Sequence, residues 1–216
     1  MSEHLTKLVS IGTVAIIGAP AQQNVASLIG TDPSPLLREL FALLAEKNGF
    51  FSFESALLVR PLYNERQPSG ILQWNNPKLW KKDYKIDLTN CTFFAEDIFG
   101  IQFCIKDNTV QSFDPEMGQF KEVGTTLELW ASWIFDKHQL RTGWPLAHQW
   151  QAKHGSLPPG MRLLPKVPFV CGGQFALENF YSLNDAEGMR FRASIANQLM
   201  NVPDGSKVVL KIAKHQ

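Results

Sequence analysis

The sequence predicts an α+β fold, a mainly antiparallel central sheet flanked by helices. Three observations predict it. Residues 91–123 divide into short apolar strands in direct succession, and strands joined only by tight turns pair antiparallel. Apolar residues recur at helical spacing on both sides of that block. The totals are those of a globular chain: 216 residues, 44% apolar and 19% charged. A chain of this length buries about 70% of its unfolded surface and needs no disulfide or metal staple.

Taken in order, the chain begins with an apolar run, Leu8 to Ala21, interrupted by Gly12 and Gly18. It is too short to span a bilayer. It reads as a buried strand or helix followed by a turn, or as a secretory leader. Glu3 and the interrupting glycines favour the buried element. The two glycines fit no nucleotide-loop spacing. Residues 33–48 predict a helix, with Ser34 as N-cap, Pro35 at the first position and Leu36, Leu37, Leu40, Phe41, Leu43 and Leu44 on one face. Gly49 ends it, and a second short helix is expected over Phe53–Val59. Residues 61–90 carry turn residues throughout and read as a loop. Trp74 and Trp80 either tie that loop to the core or form a contact surface.

Strands are expected at Thr92–Ala95, Ile101–Ile105, Val110–Phe113 and Phe120–Val123, with turns at Lys106–Asn108 and Asp114–Gly118. A helix follows from Leu127 to Asp136, capped by Thr125 or Thr126, and another over Gly143–Lys153. Beyond a Pro/Gly stretch, Phe169–Phe175 reads as a strand broken by Gly172 and Gly173. A final helix covers Asp185–Met200, then a Pro203-Asp204-Gly205 turn and a closing strand at Val208–Ile212.

Net charge is +1, but its distribution is uneven. Residues 87–136 hold two basic residues against nine acids, a net −7; residues 137–216 hold ten against four, a net +6. Either an acidic face packs near a basic one, or the acids form a docking surface for a basic partner. No Lys/Arg run supports nucleic-acid binding. Cys91, Cys104 and Cys171 are scattered, as in a reducing compartment, so a cytoplasmic location is expected.

Catalytic chemistry is poorly represented. The five histidines match no metal-ligand spacing, and there is no GxSxG elbow. No cofactor and no metal is expected. Cys171 beside Gly172-Gly173 loosely suggests an oxyanion turn, against a plain strand end at close backbone approach. Glu96 and Asp97 are adjacent carboxylates inside the densest apolar block. They read as backbone caps at a turn or as partner contacts more readily than as an acid–base pair.

The block Phe93–Ile105, the Val110–Gly118 segment and the Leu127–Ile134 helix with Trp130 and Trp133 together resemble the SUKH superfamily, also called the Smi/Knr family. Phe50-Phe51 and Glu54 upstream are similar in order. Downstream, Gly172-Gly173, Glu178-Asn179 and Met189-Arg190-Phe191-Arg192 resemble an extension kept in a subset of bacterial relatives. The resemblance covers roughly residues 35–136. It divides the chain into an N-terminal extension (1–34), a core (35–136) and a C-terminal extension packed on the same domain (137–216). It implies a non-enzymatic protein-binding module. Many bacterial members look like immunity proteins that neutralise polymorphic toxins, often nucleases; fungal relatives are associated with cell-wall assembly. Glu96, Asp97, Asp114 and Glu116 are then the expected contacts for a toxin partner, with no membrane role. The rival expectations are a hydrolase-like enzyme with a site near Cys171–Gly173, and a scaffold in a larger complex.

Overall fold

The computed structural model of the chain describes residues 2–20, 33–203, 205, 206 and 209. Its centre is a six-stranded sheet in which every strand pairs antiparallel with its neighbour in the chain. The strands are β1 (Phe50–Ser52), β2 (Leu57–Val59), β3 (Thr92–Asp97), β4 (Gln102–Lys106), β5 (Thr109–Asp114) and β6 (Gln119–Gly124). A separate hairpin-like pair, β7 (Met161–Pro165) and β8 (Phe180–Asn184), sits in the C-terminal third. With helices on both sides of the central sheet, the fold is α+β.

The four expected strands of the meander form, because their apolar residues have two faces to cover. Phe94, Phe103 and Val110 belong to one buried cluster, with Leu40 and Leu44 of α2 (Pro35–Glu46) and Trp130 and Ile134 of α4 (Leu127–Asp136). Phe93, Cys104 and Phe113 belong to a second, with Trp74, Trp80 and Met189. Successive strand residues point to opposite faces, which is why Phe93 and Phe94 serve different clusters. Leu5, Leu8 and Val9 of α1 (Glu3–Ile11) complete the first cluster, so the start of the N-terminal apolar run is core.

Helix starts follow local chemistry. Ser34 Oγ accepts from the Leu37 amide, and Thr126 Oγ1 from the Leu129 amide. The last helix, α7 (Asp185–Leu199), is capped by Asn184 Oδ1, which accepts from the Ala186 and Glu187 amides. Between α4 and β7 lie α5 (His138–Thr142) and α6 (Trp144–His154). Gly143, at φ +70°, separates them; a Cβ there would stand 2.3 Å from the Phe99 ring. No helix among the described residues is long and apolar enough to cross a membrane.

Three expected elements differ. Phe53–Val59 is not a helix: Phe53, Glu54 and Ser55 all have positive φ and form the turn of the β1–β2 hairpin. The period-2 partners Leu57 and Val59 outweigh helix propensity there because they pair with Asp97 and Ala95 of β3. Phe169–Phe175 is not a strand; Phe169–Cys171 is a single 3₁₀ turn, and the segments on either side of it, β7 and β8, are the ones that pair. The loop 61–90 contains α3 (Ile71–Trp74) and a 3₁₀ turn at Lys81–Asp83, with Trp74 and Trp80 fully buried, so it is tied to the core. Of the expected closing strand at 208–212 only residue 209 is described, and the centre of the 203–205 turn lies outside the described residues.

Candidate functional site

The four expected contact residues do not form an exposed acidic patch. Glu96 is 1% and Asp97 4% exposed, and Glu116 is 5% exposed. Glu96 sits on the third strand opposite Leu58 and Gln102. Its Oε1 lies 2.9 Å from Arg60 Nη2 and 2.8 Å from Arg162 Nε, and its Oε2 accepts from Gln102 Nε2 at 2.8 Å. The two arginine contacts are ion pairs in distance, without the alignment of good hydrogen bonds. Arg60 Nη2 also pairs with Asp185 Oδ2 at 2.9 Å, and its guanidinium lies 3.6 Å over the Trp74 ring. Trp74 Nε1 in turn donates to Gln102 Oε1.

Two guanidinia therefore meet two carboxylates in the interior. Burial by itself would raise Glu96, but Arg60 and Arg162 outweigh it and hold the carboxyl below its ordinary value. Burial prevails at Asp185, which is raised despite Arg60. The network joins the central sheet (Arg60, Glu96) to the C-terminal third (Arg162, Asp185), so it clamps the extension onto the core. The segmental charge asymmetry is partly spent here, since Glu96 from the acidic segment faces Arg162 from the basic one.

Asp97 behaves as a backbone cap. Its Oδ1 accepts from the Phe99 and Ile101 amides, each at 2.9 Å, holding the turn that contains Gly100. Burial pushes its carboxyl up to about 8, against the lowering effect of those two amides. The same turn receives Arg192 of the last helix, whose Nη2 donates to the Phe99 carbonyl.

Asp114 and Glu116 lie beside a pocket of about 150 Å³ between the β5–β6 turn and the 3₁₀ turn at Phe169. Asp114 Oδ1 accepts from the Glu116 and Met117 amides at 2.8 and 3.2 Å. Glu116 Oε2 accepts from the Val170 amide at 3.1 Å. Burial raises the Glu116 carboxyl, and that amide opposes the rise. Arg192, 2% exposed, closes the pocket; burial lowers its guanidinium, and Glu116 is the acid that most counters this.

Exposed apolar surface collects next to this pocket. Phe175 is 64% exposed, Val167 49% and Val170 37%, and Phe175 stacks on Phe169 at 4.0 Å between ring centroids. Phe169 also meets Phe99 edge-on at 5.8 Å. Aromatic side chains held by a stack and exposed at the surface are the kind that anchor protein interfaces.

The Cys171 region is open. Cys171 is exposed, and partial burial and the Glu116 charge push its thiol up, the opposite of nucleophile activation. No hydrogen bond or ring contact joins it to a histidine among the described residues. Gly173 does mark a close backbone approach: a Cβ there would stand 1.9 Å from the Val167 carbonyl oxygen. Among the described residues no group of three or more His, Cys, Asp or Glu could hold a metal.

Sequence reasoning missed Arg60, Arg162, Asp185 and Arg192. A signal existed: Arg192 falls in the inward stripe of the last helix with Met189, Ala193 and Ala196. A charge inside an apolar stripe announces a buried partner.

No family model matches the chain, and no curated protein sequence matches it. Among solved structures, the fold is similar to the crystal structure of Atu4351 from Agrobacterium tumefaciens, with a TM-score of 0.56 at 10% sequence identity. The likeness covers 86% of this chain and 86% of that one. At this identity it is a likeness of fold alone.

Proposed function

We propose that this chain is a cytoplasmic, non-enzymatic protein-binding module of the immunity type, which neutralises a bacterial toxin by binding it directly. The class comes from the sequence resemblance to the Smi/Knr family. The observation that supports binding is exposed Phe175 stacked on half-buried Phe169, flanked by exposed Val167, Val170 and Lys166. Contact area of that kind anchors a partner, and surrounding charges set which partner is accepted. On this reading the binding face is residues 166–175, with Asp114 beside the adjoining pocket; Glu96 belongs to the buried clamp and Asp97 is a backbone cap.

Co-expression with the toxin encoded next to this gene tests the reading. Protection of the cell, and capture of the purified toxin by the purified chain, are expected. Phe175→Ser is expected to weaken capture by about tenfold or more, the scale of a lost interface anchor. No protection together with no capture would refute the function. Protection with an unaffected Phe175→Ser would move the binding face elsewhere.

A further inference from the structure

We propose that the pocket between the β5–β6 turn and Phe169 binds a free apolar α-amino acid as its zwitterion. Charges of both signs line this pocket without meeting. Arg192 uses Nη2 on the Phe99 and Leu163 carbonyls, and none of the hydrogen bonds among the described residues uses its Nε or Nη1. Glu116 gives Oε2 to one amide, and Asp114 gives Oδ1 to two. Neither carboxylate forms an ion pair with Arg192 or any other cation among the described residues.

Each of these charges has neutral hydrogen-bond partners, but no opposite charge among the described residues contacts it, and the Arg192 guanidinium and the Glu116 carboxylate are both buried, where an ion pair that is not made leaves a cost. A guest of one sign relieves one of them and is repelled by the other. A zwitterion relieves both: its carboxylate takes the free Arg192 N–H groups, and its ammonium donates to Glu116 and Asp114. The remaining wall is apolar, supplied by Phe99, Ile101 and Phe169. Size narrows the class. The volume of about 150 Å³ is that of a cavity that holds benzene, well below the roughly 300–1,000 Å³ of sites for larger ligands. A branched aliphatic amino acid fits this volume. The pocket shares Phe169 and Val170 with the proposed toxin face, but amino-acid binding does not depend on a toxin and survives if that reading fails.

Titration calorimetry and ligand-observed NMR on the full chain test it, with L-leucine, N-acetyl-L-leucine and L-leucinamide as probes at millimolar concentration. Saturable binding of leucine is expected, with each blocked form weaker by about tenfold or more, since each leaves one buried charge unmatched. Glu116→Gln keeps an acceptor for the Val170 amide and is expected to lower leucine affinity by a similar factor; a thermal melt checks that it is folded. Absence of leucine binding to the wild-type chain overturns the proposal. So does binding in which either blocked form matches leucine.

Discussion

Glu96→Gln is expected to destabilise the fold strongly. The carboxylate is 1% exposed and contacts two guanidinia at 2.9 and 2.8 Å. With it gone, Arg60 and Arg162 share only Asp185, and one positive charge is left uncompensated in the interior. Whichever way the new amide turns, its NH2 group faces a donor, either Gln102 Nε2 or the two guanidinia. Removing one partner of a buried pair costs about 3–5 kcal/mol, whereas the intact pair adds little over a hydrophobic replacement. Against a total stability of about 5–15 kcal/mol, the loss is a large share. For a chain of this size it lowers Tm by about 2–4 °C per kcal/mol, or roughly 6–20 °C. Urea unfolding of wild type and variant measures it. Adding Arg162→Met removes the surplus charge and is expected to recover part of the loss, which a double-mutant cycle reads as coupling. An E96Q variant within about 1 kcal/mol of wild type, or strictly additive losses in the cycle, would refute the clamp.

Other expectations follow from the same structure. Asp97 has a folded carboxyl value raised to about 8, so the native state binds the extra proton. Its contribution is complete below the unfolded carboxyl value and is lost as pH rises toward about 8, by up to about 1.4 kcal/mol per pH unit. Asp97→Asn keeps the acceptor for both amides and removes that decline, which urea titrations at a series of pH values would reveal. Thr126→Ala removes the acceptor for the Leu129 amide and should cost about 1 kcal/mol, with far-UV dichroism unchanged. Gly143→Ala puts a Cβ against the Phe99 ring at positive φ, and a loss of at least about 1–3 kcal/mol in thermal unfolding is expected. Phe175→Ser removes a largely exposed ring stacked on Phe169 and should cost only about 0.5–1.5 kcal/mol, so a thermal melt showing a folded variant separates its effect on binding from one on folding.

The elements legible in the sequence were those fixed by near neighbours. Ser34 before Pro35, Thr126 before Leu127 and the alternation through Phe93, Phe94, Phe103 and Phe113 each act over a few residues, so they can be read without a partner. Asp97 as a backbone cap was legible for the same reason, since its acceptors are filled by Phe99 and Ile101. The 53–59 hairpin was not, because its strands owe their conformation to Ala95 and Asp97 across the sheet.

The fate of the charges was decided only by the tertiary structure. By itself the sequence determined an α+β meander with capped helices and an acidic middle beside a basic end. It left open whether those charges face solvent or each other. Arg60 and Asp185 meet across 125 residues of chain, and Glu96 reaches Arg162 from another segment. Local periodicity carries no record of such encounters. Burial then makes pairing obligatory, because an isolated charge in the interior costs more than the fold can supply.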